Sequence, residues 1–430
     1  MKSSIGVGLI GMGVVGSGVA RAITENSTVL HNHVGLPLNL MKVAVRDTSK
    51  QREFMVSRNI LGDNPEELIN DESVNIVVEL MGGEHPALEL ILAAVKNGKH
   101  VVTANKEVIS KHGAHIFSLA RENNVRVLFE ASVGGGIPII SPLMRDLVAN
   151  NIKSIKAIIN GTTNYILTRM ANEQADYQQM LQEAQKLGYA ESDPTSDVEG
   201  VDAAYKLSIL STLAFRANVK DTDIFTEGIT NLTDKDFLYA KELGYSIKLL
   251  AIATRSDSSV LGRVHPALIP EDQMLAKVDD VLNAVEVETD LLGKLLFHGP
   301  GAGSMPTSSA VVADIVNIAR TISDGTDLLD PVRLSDGIDI RSIDTLITKY
   351  YFRLEAEDQP GVLARIAAVL GDCGISISSF IQKGLGDQST DAELVIMTHE
   401  ANESSVTRAV SSLRELDVVR MIGNVIRVVE

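Results

Sequence analysis

Residues 5–18 read IGVGLIGMGVVGSG. Ile5–Ile10 is a short apolar run without charge, the pattern of a strand covered on both faces. It runs straight into Gly11-Met12-Gly13-Val14-Val15-Gly16, and a helical pattern follows over Val14–Thr24. A lone G-x-G-x-x-G is weak, but between a strand and a helix it acquires meaning. Gly11 permits the tight turn, Gly13 lets backbone approach a pyrophosphate, and Gly16 allows close helix–strand packing. The helix N-terminus then offers N–H groups and a partial positive charge to phosphates. The opening of the chain therefore predicts a Rossmann-type dinucleotide-binding domain.

The pattern continues outward from that loop. Strands are expected at Leu40–Val45, Val74–Leu80, Val101–Thr103 and Val125–Phe129, with helices near Pro86–Lys96 and Glu107–Glu122. Such alternation predicts a mainly parallel α/β sheet, assigned to residues 1–140. Past it, Ile152–Ile159 reads as a strand, and Tyr177–Leu187 and Val201–Ala214 as helices. Paired strand-like runs follow: Ser246–Thr254 with Val260–Ala267, and Asn283–Glu288 with Leu292–His298. They predict an α+β substrate-binding and dimerisation domain over 141–322. A helix at about 306–322 would complete the first domain. Residues 323–346, rich in Asp, Gly, Ser and Thr, read as a linker. From 347 to 430 the run is strand–helix–strand–strand–helix–strand: Tyr350–Ala356, Gly361–Leu370, Ile375–Gln382, Ala392–Thr398, Glu403–Leu416 and Val418–Val429. That order is ferredoxin-like βαββαβ. A dinucleotide loop at one end and a small module at the other suit an enzyme adjusted by a metabolite.

Bulk properties narrow the class. A chain of 430 residues, 45% apolar and 22% charged, suits two or three globular domains. The net charge of −17 argues against nucleic acid, whose phosphates need clustered Lys and Arg. The single cysteine, Cys373, excludes an internal disulfide and any multi-cysteine zinc site, and points to the cytoplasm. A buried structural role suits it better than redox sensing. The N-terminal apolar run is too short and Gly-rich for a signal peptide, and no run is long enough to span a bilayer.

The second strand ends Val43-Ala44-Val45-Arg46-Asp47. Arg46 could pair with a 2′-phosphate and favours NADP; the adjacent Asp47 keeps NAD open. Thr103-Ala104-Asn105-Lys106 stands just past a parallel strand, where ligand crevices form, so Lys106 could reach substrate or cofactor. Residues 188–206, GYAESDPTSDVEGVDAAYK, are dense in carboxylates. Asp202 and Lys206 are spaced i, i+4 and share one helix face. They are either an exposed ion pair or a lysine proton donor held by an acid, with Glu191 and Asp197 receiving a cationic group; spacing does not choose. A Lys106–Lys206 pair would lower either lysine's pKa by repulsion and desolvation, with Asp202 and Glu191 opposing. There is no Tyr-x-x-x-Lys anywhere, which disfavours tyrosine-based dehydrogenase chemistry. His112 and His115 read as surface residues rather than metal ligands.

Taken together the chain resembles homoserine dehydrogenase. The resemblance rests on the glycine loop, VVTANKEVI at 101–109, FEASVGGGIPII at 129–140, INGTTNYI at 159–166, GYAESDPTSDVEGVDAAYKLSIL at 188–210 and GPGAGSMPTSSAVVADI at 299–315. The run from about 350, opening Asp358-Gln359-Pro360-Gly361-Val362-Leu363, looks like an ACT domain, a module that binds amino acids. The resemblance implies NAD(P)-dependent interconversion of L-homoserine and L-aspartate 4-semialdehyde, on the route to threonine, methionine and isoleucine. It implies Lys206 as proton donor, Asp202 orienting it, and Lys106 assisting near the nicotinamide. Glu191 would bind the substrate amino group, with Tyr189, Thr162 and Asp197 lining the pocket. Gly13, Val14 and Val15 match the pyrophosphate loop, Thr103 the nicotinamide side, and Gly303 a late cofactor contact. A monovalent cation, usually sodium, would be held largely by carbonyls at Glu130, Val133, Gly135 and Ile137. L-threonine is the implied effector, with Asp358 and Gly361 as candidate contacts, and a homodimer or homotetramer the implied assembly. The rival reading is a dinucleotide- and amino-acid-binding sensor without catalysis.

Overall fold

The computed structural model describes residues 3–325, 332–335, 337–384 and 390–430. The first sheet is built from β1 (Ile5–Ile10), β2 (Leu38–Ala44), β3 (Leu61–Gly62), β4 (Ile76–Glu79), β5 (His100–Thr103) and β6 (Val127–Leu128). Its order is β3-β2-β1-β4-β5-β6, parallel throughout, so the chain reverses its direction of winding beside β1. Every residue of β1 and β4 is buried, because helices cover both faces. Those helices are α1 (Val14–Glu25), α2 (Ser27–Val34), α3 (Pro65–Asn70), α4 (Ala87–Lys96) and α5 (Lys106–Glu122). Crevices at such a switch point, beyond the carboxyl ends of the strands, are where dinucleotides bind.

The second region holds β7 (Ile152–Ile158), α6 (Gly161–Glu173), α7 (Tyr177–Lys186), α8 (Thr195–Val198) and α9 (Val201–Phe215). Then come β8 (Phe225–Thr226), α10 (Asp234–Glu242), β9 (Tyr245–Ser256), β10 (Ser259–Pro270), β11 (Leu282–Thr289), β12 (Lys294–Pro300) and α11 (Ser304–Asp324). The expected hairpins are present: β9 pairs antiparallel with β10, and β11 with β12. The helices α6 and α10 are absent from the sequence expectation. Polar residues open α6, and α10 carries five charged residues in nine, so neither shows a clean apolar stripe. The α11 helix returns to the first domain. Ala310, Val311, Ile315 and Ile318 pack in the same core cluster as Val7, Leu9 and Val19.

The expected linker, 323–346, falls partly outside the described residues, at 326–331 and 336. Its later part is not free chain. There β13 (Asp339–Ile340) pairs parallel with Ser259 and Val260 of β10, and a turn of 3-10 helix covers Ile343–Thr345. Next come β14 (Ile347–Thr348), β15 (Tyr350–Glu357), α12 (Val362–Asp372), β16 (Ile377–Gly384), β17 (Asp391–Thr398), β18 (Ala401–Asn402), α13 (Glu403–Arg414) and β19 (Val419–Val428). The module's own order is β19-β15-β17-β16, the ferredoxin-like arrangement, and β14 pairs with β18 beside it. This module does not hang by a tether. Ala267 and Leu268 of β10 pair with Arg427 and Val428 of β19, fusing both sheets into one of eleven strands.

A buried polar clasp reinforces the seam. Arg353 of β15 donates to Asp236 Oδ1 at 2.7 Å, Thr233 Oγ1 at 3.0 Å and Glu393 Oε1 at 3.3 Å. Glu393 also takes Tyr239 Oη at 2.7 Å and Lys235 Nζ at 3.0 Å. One face of the module's sheet is thus covered by α10 of the preceding region, and the other by α12 and α13. Among the described residues no helix is long and apolar enough to cross a membrane.

Candidate active site

The glycine loop has the geometry its sequence requires. Gly11 has φ +93°, a left-handed conformation at which side chains are strained. A Cβ at Gly16 would lie 2.2 Å from the Gly11 carbonyl oxygen, so α1 could not approach the turn with any other residue. A Cβ at Gly13 would meet nothing within 4 Å, leaving that side open to a ligand. Val14 is 63% exposed at the first turn of α1, and Val15 is half-buried. The α11 helix props the loop: Ser304 Oγ donates to the Val14 carbonyl and Ser308 Oγ to the Val15 carbonyl, each at 3.0 Å. Gly303, at φ +115°, caps α11 and brings it to this contact.

Gly11, Met12, Gly13, Arg46, Lys50 and Arg52 line a cavity of about 690 Å³ at the carboxyl ends of β1 and β2. Arg52 was missed in the sequence; it organises the loop, donating to the carbonyls of Met12, Lys50 and Asp47. Asp47 turns its carboxylate onto Ser49, whose hydroxyl and backbone N–H hold it below the usual carboxylate range. Arg46 and Lys50 stay exposed at the rim.

The lysines lie beyond this cavity, where α5 of the first domain meets α9 of the second. Asn105 caps α5 by accepting from Val108 N at 3.2 Å, which places Lys106 at the first helical position. Thr103 is wholly buried, its hydroxyl donating to Glu79 Oε2 at 2.6 Å and accepting from Asn105 N at 2.9 Å. Burial raises the Glu79 carboxyl above its ordinary pKa despite those bonds. On the other side, Gly200 at φ +82° starts α9, and its i, i+4 spacing puts Asp202 and Lys206 on one face. Asp202 then shares one carboxylate between two domains. Its Oδ1 lies 2.8 Å from Lys106 Nζ, and its Oδ2 lies 2.6 Å from Lys206 Nζ. Lys206 also donates to the Ile159 carbonyl at 2.8 Å.

Burial pushes the Asp202 carboxyl up, but the charges of Lys206 and Lys106 outweigh it and keep the acid ionised. For Lys106 the sequence expectation of a lowered pKa is corrected. Burial pulls the ammonium down, yet the charge and hydrogen bond of Asp202, then the charges of Asp197 and Glu107, raise it on balance. The shared carboxylate, with the charges of Asp197 and Glu107, outweighs the burial of Lys106.

Other expected residues fall into two groups. Asp197 joins the cluster through Asn160, whose amide nitrogen reaches Asp197 Oδ1 at 2.7 Å and Asp202 Oδ2 at 2.9 Å. Thr162 Oγ1 donates to the Tyr189 carbonyl at 2.7 Å, and the Tyr189 ring lies 5.0 Å from that of Tyr165. Glu191 is exposed, and among the described residues its carboxylate takes no hydrogen bond. His112 sits on α5, 2.7 Å from Glu84.

The 130–137 turn is built differently. Buried Glu130 spends its carboxylate on the backbone N–H groups of Ile139, Ile140 and Ser141. Its own N–H donates to buried Asp314 at 2.8 Å. Gly135, at φ +54°, would place a Cβ 2.3 Å from the Gly301 carbonyl oxygen. Among the described residues the carbonyls of Val133, Gly135 and Ile137 accept no hydrogen bond. In the C-terminal module, Asp358 accepts from Gln382 Nε2 at 2.9 Å, and Gly361, at φ +92°, caps α12.

Family models for the homoserine dehydrogenase NAD-binding domain, for homoserine dehydrogenase and for the ACT domain match residues 11–130, 138–316 and 350–418. The homoserine dehydrogenase of Neisseria gonorrhoeae is 43% identical over 420 residues, covering 96% of each chain. The crystal structure of a homoserine dehydrogenase from Thiobacillus denitrificans matches with a TM-score of 0.92 at 42% identity, over 99% of this chain and 98% of that one. A hyperthermophilic archaeal homoserine dehydrogenase in complex with NADPH matches with a TM-score of 0.62 at 27% identity, over 77% of this chain and 100% of that one. With its parallel dinucleotide-binding sheet, its mixed-sheet domain and its ACT module, the chain belongs to the homoserine dehydrogenase family.

Proposed function

We propose that this chain interconverts L-homoserine and L-aspartate 4-semialdehyde in the cytoplasm, on the route to threonine, methionine and isoleucine, with NADP preferred over NAD. The observation that carries the reading is the Lys106–Asp202–Lys206 bridge where the two domains meet. Preference for NADP is supported by exposed Arg46 and Lys50 at the cavity rim and by Asp47 being turned onto Ser49. The dinucleotide, when bound, exchanges a hydride with the substrate carbon that becomes the aldehyde. The residues do the rest. Lys206 Nζ gives a proton to the oxygen formed on reduction and takes it back on oxidation. Asp202, ionised, aims that ammonium and holds Lys106 beside it. Glu191, with its carboxylate unspent, receives the substrate ammonium, and Asp197, Tyr189 and Thr162 shape the pocket. Gly11, Gly13, Val14, Val15 and Gly16 receive the pyrophosphate, and Thr103, Lys106 and Gly303 flank the nicotinamide end.

The free carbonyls of Val133, Gly135 and Ile137 fit a monovalent cation such as sodium, whose ligands are oxygens. Glu130 would contribute its backbone oxygen, its carboxylate being committed elsewhere. L-threonine is the proposed effector at the ACT module near Asp358 and Gly361, in a homodimer or homotetramer. The test is homoserine-dependent reduction of NADP and of NAD, followed by absorbance with sodium present, with and without threonine. Turnover faster with NADP and suppressed by threonine is expected. Turnover indifferent to threonine removes the effector; none with either cofactor removes the substrate.

A further inference from the structure

The cluster contains one buried polar side chain to which no role is assigned. Asn160, 6% exposed, stands just after β7 and is the N-cap of α6. Its Oδ1 caps the helix by accepting from Thr163 N at 2.9 Å. Its two amide hydrogens face two carboxylates, Asp197 on α8 and Asp202 on α9. The amide cannot turn over, since that would aim its oxygen at both carboxylates and its nitrogen at a backbone N–H. The preceding residue supplies the carbonyl that holds Lys206. We propose that Asn160 is a positioning residue: by bridging Asp197 and Asp202 it orients the carboxylate that Lys106 and Lys206 share. The inference rests on the proposed reading of Lys206 as the proton-transferring group.

Substitution can separate the cap from the bridge. Serine keeps a cap acceptor but lacks the paired donors, whereas aspartate keeps shape and cap but sets a third carboxylate beside Asp197 and Asp202. The charged groups around the shared carboxylate are Lys206 on its own helix, Lys106 on α5 with Glu107 beside it, and Asp197 on α8 through Asn160. Asn160→Ser is expected to lower kcat by about tenfold or more, with Tm and NADPH affinity retained. Asn160→Asp is expected to move the acidic, rising limb of the oxidation pH profile upward by about one pH unit, since added negative charge favours the lysine cation and oxidation needs the neutral amine. Wild-type kcat in Asn160→Ser, an unmoved limb in Asn160→Asp, or losses that merely follow falling Tm would overturn the proposal. Competitive acetylation of Lys206 across pH, read by mass spectrometry in cofactor-free protein, tests the placement without substrate. Its midpoint should rise in Asn160→Asp, and an unmoved midpoint also overturns the role. Wild-type protein that does not turn over homoserine would instead overturn the substrate assignment, and the acetylation midpoint would still decide on Asn160.

Discussion

Asp202 is the residue on which the site turns, because its two oxygens hold lysines from different domains. Its burial makes an uncompensated charge costly, so the lysines and the carboxylate depend on one another. Lys206 is only 13% exposed at its side chain, whereas Lys106 is 41% exposed. Lys206→Ala is expected to lower kcat by at least about 10²-fold, the scale of losing a general acid. Lys206→Arg should fail as well, because a guanidinium does not release its proton near neutral pH. Steady-state kinetics in both directions check this, and near-normal kcat in either variant would remove Lys206 from the proton-transfer role. At this scale the sequence was informative about identity: the Asp202–Lys206 spacing and the position of Lys106 after β5 were both legible. Their meeting followed from no spacing and was implied only by the resemblance, since Lys106 and Asp202 stand 96 positions apart.

Among the elements, the strand–turn–helix at 5–25 is where local sequence decides most. Gly16 and Gly13 answer to different needs, and alanine distinguishes them. Gly16→Ala forces its Cβ against the Gly11 carbonyl and is expected to lower stability by about 1–3 kcal/mol along with NADPH affinity. Gly13→Ala, with open space at its Cβ, should fold normally and lose only cofactor affinity. Paired thermal melts and NADPH fluorescence titrations test the distinction; equal Tm values for both variants would contradict it. The helix α6 shows the opposite case. Its opening Gly161-Thr162-Thr163-Asn164 has weak helical propensity, yet eight of its residues are buried by packing that includes β9 and α10. Tertiary burial outweighs propensity there, which is why the pattern alone did not reveal it.

Over the whole molecule, the eleven-stranded sheet joins the ACT module to the region that carries Asp202. The clasp of Arg353 with Asp236 and Glu393 is buried on both sides, so breaking it would leave charges without partners. The same seam sets a pH dependence. His265 of β10 is fully buried, and burial, then the charges of Arg427 and Arg263, hold its imidazole well below 6.5. The unfolded chain takes up a proton near pH 6.5 that the folded chain refuses, so this stabilisation is present above that pH and lost below it. The slope approaches about 1.4 kcal/mol per pH unit well below pH 6.5, and from pH 6.5 to 5.5 the decline is about 1 kcal/mol. Denaturation between pH 6.5 and 5.5 should show that decline in the wild type and a flatter one in His265→Leu. Identical slopes would show that His265 titrates in the folded chain.

What the sequence determined by itself was local: the glycine turn, the parallel α/β alternation, the βαββαβ order of the tail, and the residue types able to do the chemistry. Each depends on neighbours within a few positions, through φ, periodicity or helical spacing. What only the tertiary structure decided was non-local. It shows that one carboxylate serves both lysines and raises Lys106, that Asn160 ties Asp197 to Asp202, and that β13 and β19 join β10. Electrostatic fields and strand pairing depend on distance in space, and residues such as Lys106 and Asp202 acquire their relation only when two domains close on one another.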